Sequence, residues 1–482
     1  MKSKEGKFLY SDLADRIHAR IQGGGYKLSE KLPSLRSLCR TTGYSMTTVF
    51  QAYIELEKRG IIESRHRSGY FIRPRPERLR PMPEIRDHEV VPMKVSLDAL
   101  IHELTLDMGD PGVLKLGGVT VAPGHLPVKR LHRHLKAISR KESPGVIAGY
   151  APPQGDALLR HQISNLLFSI LPNICVEDII VTSGCTEALS LSLKAVAGPG
   201  DTIIVESPTD PWLRQIIKDS RMYALEIPAD PVTGMDLDRV ETVLGQEKIS
   251  ACIMNPNCQN PLGFIMPDEN KKKILSLMEA RDIPIIENDI CGDIYFGTMR
   301  PNPIKKWDEK GNVLYCSSFS KVLAPGLRIG WAIPGRFKKT LGRMKLNRSL
   351  ISPTLNQALV AAYLKEGTYD RHLRRLRETI KRQHQYCATA VHRYFPEKIK
   401  MTSPSGGLSL WIELPRGVDG RDVYFEARKK GISILPGFLC SSYDAFDRYI
   451  RIGYGRVWDQ EVEDAIAKIG NIVYQLADKK NE

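Results

Sequence analysis

The chain has 482 residues, 42% of them hydrophobic and 26% charged, with a formal net charge of +15; that length calls for at least two domains and that composition excludes a disordered or collagen-like chain. No run approaches the roughly 20 apolar residues of a membrane span, and the basic N-terminus lacks the apolar core of a secretory signal. The nine cysteines are scattered and never spaced CxxC, so neither a disulfide framework nor a metal site is expected, and a reducing cytoplasm is the expected location.

The charge is uneven. Residues 1–80 hold 17 Lys or Arg against 8 Asp or Glu, which suits either a polyanionic partner or a merely solvated basic surface. The hydrophobic pattern decides between them. Leu9, Leu13, Ile17 and Ile21 recur every four residues and predict a helix ended by Gly23-Gly24-Gly25. Ser34 then reads as an N-cap with Leu35 and Leu38 facing inward, and Gly43 as the turn. Ser45 caps a further helix that buries Val49, Ala52, Tyr53 and Leu56 and stops at Gly60. Two β-prone runs, Ile61-Ile62-Glu63 and Tyr70-Phe71-Ile72, flank the basic tip Arg65-His66-Arg67-Ser68-Gly69. Helix-turn-helix followed by a basic hairpin is the layout of a winged helix, whose second helix enters the major groove of double-stranded DNA.

On Leu32-Pro33-Ser34-Leu35-Arg36, Ser45 with Thr48-Val49, Leu56-Glu57 with Gly60-Ile61-Ile62, and Ser68-Gly69-Tyr70-Phe71, this segment resembles the GntR family of bacterial regulators. The resemblance implies DNA contacts by Arg36, Ser45, Thr47 and Thr48, with Arg67 and Gly69 at the wing tip. Family members often carry arginine after the serine matched by Ser45. Met46 stands there in this chain, so one contact is missing or replaced by an apolar one.

A proline-rich stretch, residues 74–94, reads as an extended connector. It separates a DNA-binding domain over 7–73 from a larger domain over 95–480. In the larger part, short apolar runs alternate with helical stretches: 179–181, 202–205, 251–254, 283–286, 313–315 and 328–331. That alternation predicts a mostly parallel α/β sheet, with ligands gathered at the carboxyl ends of its strands. Four strand ends stand out. Thr182-Ser183-Gly184-Cys185 opens a helix in the manner of a phosphate site. The other three are Asn255 to Gly263, Glu287 to Asp293, and Ser317-Ser318-Phe319-Ser320-Lys321 followed by Pro325-Gly326-Leu327-Arg328. A lysine among hydroxyls and near an arginine suits covalent attachment of an aldehyde cofactor whose phosphate its neighbours bind.

In order and spacing these segments resemble the class I aminotransferases, α/β pyridoxal 5'-phosphate enzymes of fold type I. The resemblance implies that Lys321 carries the cofactor as an internal aldimine. It places Ser183, Gly184, Cys185, Ser318, Ser320, Arg328 and Tyr150 of a partner subunit around the phosphate, and Asn260 at the ring hydroxyl. Asn288 falls at the ring nitrogen, and Arg451, within Arg451-Ile452-Gly453, on a substrate or effector carboxylate. Three residues depart from that pattern. Asn288 replaces the usual aspartate, Cys291 the usual tyrosine, and Asp210 the aromatic residue that stacks on the ring. Trp212 or Asp289 would compensate if the register shifted or a side chain turned. The phosphate and lysine features survive and the ring contacts do not, which predicts weak or absent transamination.

A winged helix, a linker and an aminotransferase-like domain in this order resemble the MocR subgroup. The implied function is a homodimeric transcription regulator that binds a DNA operator and senses a small amino compound through the aldimine on Lys321. Two alternatives are a working aminotransferase with a vestigial DNA-binding arm, and a regulator whose large domain no longer binds the cofactor.

Overall fold

The computed structural model describes residues 8–479 apart from 24, 27, 29, 66, 67, 74–79, 86, 96–99 and 141–143. The expected wing-tip contact Arg67 and most of the connector's first half therefore lie outside the described residues. Among the described residues no helix is long and apolar enough to cross a membrane. The chain forms two compact units. One comprises Met1–Leu79, Arg382–Glu397 and Trp458–Asn471, and the other Arg80–Lys381, Lys398–Val457 and Ile472–Glu482.

In the first unit, helix α1 (Leu9–Gln22) ends at Gly23, whose N–H bonds back to Ala19. Helix α2 (Leu35–Thr42) is capped by Ser34, whose hydroxyl accepts from the Ser37 N–H, and ends at Gly43 in the left-handed region (φ 72°). Helix α3 (Met46–Lys58) is capped by Ser45, whose hydroxyl accepts from the Thr48 N–H. Such caps stabilise a helix by about 1 kcal/mol each. Leu13, Ala14, Ile17 and Ile21 of α1 pack on Val49, Ala52, Tyr53 and Leu56 of α3 in one buried cluster. Each large side chain there contributes ~1.5–3 kcal/mol by leaving water. Leu9 is only half-buried, while Ala14, which the four-residue spacing passes over, is fully buried.

The hairpin pairs β1 (Ile62–Arg65) with β2 (Gly69–Ile72), antiparallel, with Arg65 opposite Gly69. Its first strand starts one residue later than the apolar run and reaches two residues further toward the tip. A bridge from Lys31 to Phe71 adds a third edge that the sequence pattern did not signal.

In the second unit nine of the described strands form one sheet. Eight of them, in chain order, are β3 (Met93–Lys94), β4 (Ile180–Thr182), β5 (Thr202–Ser207), β6 (Tyr223–Asp230), β7 (Ile249–Met254), β8 (Ile285–Asn288), β9 (Val313–Ser318) and β10 (Gly330–Ile333). Their spatial order is β3-β6-β5-β7-β8-β9-β10-β4. The five central strands, β6 to β9 in that order, pair in parallel. β10 runs antiparallel to both β9 and β4. All six expected runs appear in this sheet, while β6 was missed because its eight residues include Glu226, Pro228 and Asp230 and do not read as an apolar run.

The last run needs a correction. Its strand begins at Gly330, and Arg328 lies outside it in the left-handed region (φ 53°). The connector's end is not merely extended either, since β3 adds to the edge of the sheet beside Tyr223 and Ala224. A smaller antiparallel sheet holds Ser409–Glu413 against Tyr449–Gly453, with Trp411 opposite Arg451.

Candidate cofactor and effector site

Helix α4 (Cys185–Val196) starts immediately after β4, with Gly184 as its N-cap at φ 89°. A Cβ at Gly184 would lie 2.4 Å from the Arg328 guanidinium, so only glycine lets that cation lie against the helix start. Arg328 Nη2 donates to the Ser183 carbonyl at 2.9 Å and the side chain is otherwise exposed. Ser318 is buried at the end of β9, and its hydroxyl accepts from the Ser320 N–H at 3.3 Å. A helix N-terminus, two hydroxyls and a guanidinium form a donor set whose chemistry fits a phosphate. The Ser183 N–H is already taken by Glu187 at 2.6 Å.

Lys321 stands at the wall of a cavity that Cys185, Asp210, Trp212, Asn260, Asn288 and Cys291 also line. Its Nζ donates to the carbonyl of Val119 at 2.6 Å. Val119 carries no sequence signal for this role, because only its backbone takes part and it lies 202 positions away.

Arg451 does not itself line this cavity but is tied to Asn260, which does. Arg451 Nη1 donates to Asn260 Oδ1 at 2.8 Å, and Nη2 donates to the Gly117 carbonyl at 2.8 Å. The Arg451 Nε is buried with no partner among the described residues, an orphaned donor of the kind a ligand carboxylate satisfies. Asn260 Nδ2 in turn donates to Asp210 Oδ2 at 2.8 Å. Tyr150 is not brought to the cavity; its side chain is 83% exposed.

At the ring end, Asn288 Oδ1 accepts from the Cys185 thiol at 3.5 Å and from the Ile290 N–H at 3.3 Å. The amide N–H is thus the polar group that Asn288 keeps for the cavity. Asp289 does not turn toward it. Consecutive residues of an extended segment face opposite sides. The Asp289 carboxylate accepts from Arg300 Nη2 at 2.6 Å, Tyr315 Oη at 2.7 Å and Asn257 Nδ2 at 3.1 Å. The sequence reading that let Asp289 compensate for Asn288 is therefore corrected. Burial disfavours the charged guanidinium of Arg300, but Asp289 and Asp293 more than reverse this and hold it firmly charged.

Asp210 caps the helix Pro211–Asp219, accepting from the Trp212 N–H, and Trp212 lies in that helix's first turn. Both line the cavity, so an indole is available beside the carboxylate. Cys291 is buried, and that burial pushes its thiol up to about 11, so it is neutral near pH 7.

The DNA-contact candidates lie in the first unit. Arg36 and Thr47 are exposed. The Ser45 hydroxyl both caps α3 and lies 2.9 Å from the Thr48 hydroxyl, so these two serve the helix start itself. Gly69 has φ 104°, and a Cβ there would meet the Lys31 side chain at 2.8 Å.

The chain matches the family model of aminotransferase class I and II over residues 119–469 and that of bacterial regulatory proteins, gntR family, over 9–72. It is 36% identical over 466 residues to the uncharacterized HTH-type transcriptional regulator YjiR of Escherichia coli (strain K12), spanning 97% of this chain and 99% of that protein. YdcR of the same organism, another uncharacterized HTH-type transcriptional regulator, is 33% identical over 469 residues, again covering 97% and 99%. LysN, an alpha-aminoadipate aminotransferase from Thermus thermophilus solved in complex with N-(5'-phosphopyridoxyl)-L-leucine, shares the fold with a TM-score of 0.73 at 27% identity. That likeness covers 80% of this chain and 96% of LysN.

Proposed function

Because the chain belongs to the GntR family of HTH-type regulators, in the MocR-like branch fused to a class I and II aminotransferase domain, we propose that it binds pyridoxal 5'-phosphate at Lys321 and an amino-compound effector at the same cavity. The observation that carries this reading is Lys321 sharing one cavity wall with Asn260 and Asn288, with Arg451 reaching Asn260 from behind. When bound, the cofactor supplies an aldehyde that exchanges between a lysine amine and the amine of a ligand.

The chain's own residues have separable jobs in this reading. Gly184 and Cys185 at the start of α4, with Ser318, Ser320 and Arg328, hold the phosphate. Arg451 is the group for an effector carboxylate, its guanidinium tied to Asn260 at the cavity wall. Asn288 offers a neutral N–H donor where an ionised aspartate would hold a proton on the ring nitrogen. A ring without that proton is a weak electron sink, so the site favours reversible binding over turnover. Cys291, a neutral thiol at the cavity wall, is a weak donor and adds little to the ring. The exposed Tyr150 is suited to complete the phosphate site of a second subunit in a homodimer.

At the other end of the chain, the basic winged helix binds double-stranded DNA, with Arg36, Ser45, Thr47, Thr48, Arg67 and Gly69 at the interface. An effector that binds the DNA-competent and DNA-free states unequally shifts operator occupancy by that difference.

The test is one titration of purified protein carrying the cofactor, with the common α-amino acids and their decarboxylated amines as probes. The absorbance of the bound cofactor and the affinity for operator DNA are followed together. A ligand that moves both in the wild type and neither in Lys321→Ala supports the reading. Rapid keto-acid formation with no effect on DNA would replace it with a working aminotransferase.

A further inference from the structure

The sheet that carries Lys321 has a second cavity, of about 460 Å³, on its other face. Along β9 and β10, Leu314, Cys316 and Ala332 face the core around α4. Tyr315, Ser317 and Trp331 alternate with them and line this cavity. Its volume lies within the roughly 300–1,000 Å³ of small-molecule sites. None of the chemistry proposed above uses it.

Three features describe what would fill it. The first is an aromatic wall of rings packed on one another. Phe319 lies 4.9 Å from Trp331 and 6.0 Å from Tyr369 between ring centroids, and all three rings line the cavity. The second is a donor without an acceptor. Trp331 is 5% exposed and its Nε1 is buried with no partner among the described residues. An unmade hydrogen bond of this kind costs ~1–3 kcal/mol, so a ligand acceptor there is favoured.

The third is positive charge. Arg374 and Arg377 line the cavity one turn apart on the helix Tyr369–Tyr394. Among the described residues neither pairs with a carboxylate. Arg377 stacks on Tyr295 at 4.5 Å and reaches the Asp293 carbonyl only at 3.5 Å. Of the acidic residues lining the cavity, Asp293 is neutralised by Arg300 at 2.7 Å. That leaves Asp370, exposed at the start of the helix, against two guanidiniums.

We infer that this cavity is a second ligand site, for a small planar aromatic carboxylate carrying a hydrogen-bond acceptor opposite its carboxylate. The ring packs against the wall made by Phe319, Trp331 and Tyr369, the far acceptor takes the Trp331 N–H, and the carboxylate meets Arg374 and Arg377. Phe319 precedes Lys321 by two residues, and the Ser317 hydroxyl donates to the Asp289 carbonyl at 3.1 Å. The cavity wall is thus made by the segments that also carry Lys321 and Asn288. A ligand of this class has no amine, so it does not compete for the chemistry at Lys321, and its binding stands or falls independently of the cofactor reading.

Calorimetric titration of the full-length protein with 4-hydroxybenzoate, benzoate and 4-hydroxybenzamide tests the proposal. The hydroxy acid is expected to bind saturably and roughly tenfold more tightly than benzoate, the worth of one hydrogen bond. The uncharged amide is expected to bind at least tenfold more weakly than the hydroxy acid, for want of charge-assisted bonds to arginine. The double variant Arg374→Gln/Arg377→Gln, at positions outside the buried core, should abolish the preference for acid over amide. Trp331→Phe should make benzoate and its hydroxy derivative nearly equal. Lys321→Ala and Arg451→Lys should leave binding unchanged. Absence of saturable binding by either acid in the wild type overturns the proposal. So does binding that survives in the double arginine variant but is lost in Arg451→Lys, since the acid then occupies the Lys321 cavity.

Discussion

Arg451 donates from Nη1 to the side-chain oxygen of Asn260 at 2.8 Å while its Nε stays buried without a partner among the described residues. The guanidinium is therefore held by protein through both Nη groups, with one buried donor left unsatisfied. Replacement by lysine keeps the charge and loses the planar fork. Arg451→Lys is expected to weaken α-amino acid ligands by roughly tenfold or more, and to leave their decarboxylated amines almost unaffected. The comparison is made by titrating the absorbance of the bound cofactor.

Asn288 points its oxygen at the Cys185 thiol and the Ile290 N–H. An aspartate at this position restores a negative charge beside the ring nitrogen. Asn288→Asp is expected to raise the rate of keto-acid formation from an amino donor by about tenfold or more, the usual scale of a well-placed proton-holding group. An unchanged rate would show that Cys291 or Asp210, rather than Asn288, limits turnover.

Lys321 is the residue on which the cofactor reading depends most directly. Lys321→Ala is expected to abolish the near-visible absorbance band of the loaded protein and the response of DNA binding to effector. Basal DNA affinity should stay within about twofold, because no DNA-contacting group is altered. A mobility-shift titration with and without ligand reads both.

Arg36 is exposed at the start of α2. If it contacts the operator, Arg36→Ala lowers affinity by about tenfold, and if the contact is to phosphate the salt dependence falls by about one unit of slope. Measuring affinity at several salt concentrations separates the phosphate case from a base contact. An unchanged affinity would remove Arg36 from the interface.

Glu206 is buried at the end of β5, and burial pushes its carboxyl from 4.5 up to about 8, although the Asn255 N–H and Gln259 amide hold it down in part. A raised folded-state value favours the protonated form in the native protein. Stability from this group is fully present below the unfolded value near 4.5 and is lost as pH rises toward about 8. Glu206→Gln should therefore leave stability near pH 4.5 little changed and raise it near pH 8. Denaturant unfolding at both pH values is the measurement.

Much of this molecule was legible before any coordinates, because the signals were local. The caps at Ser34 and Ser45 and the apolar faces of α1 and α3 need only neighbours within a few positions. The six strand runs and the residues after them are equally short-range, and once such runs form a parallel sheet their ends must converge at one edge. Lys321, Asn260 and Asn288 lie just after three of those runs, their individual roles came from the resemblance to class I aminotransferases, and all three line one cavity. Other features depended on which side of a strand a residue faces and on contacts between distant segments. Asp289 is adjacent to Asn288 in the chain, yet strand alternation sends it to Arg300 and Tyr315 instead of the cavity. The Val119 carbonyl that receives Lys321, the Gly117 carbonyl that receives Arg451, and the second cavity around Trp331 likewise appear only once the chain is packed. Side-chain periodicity is a property of a few residues, whereas a site is closed by whatever the fold brings against it.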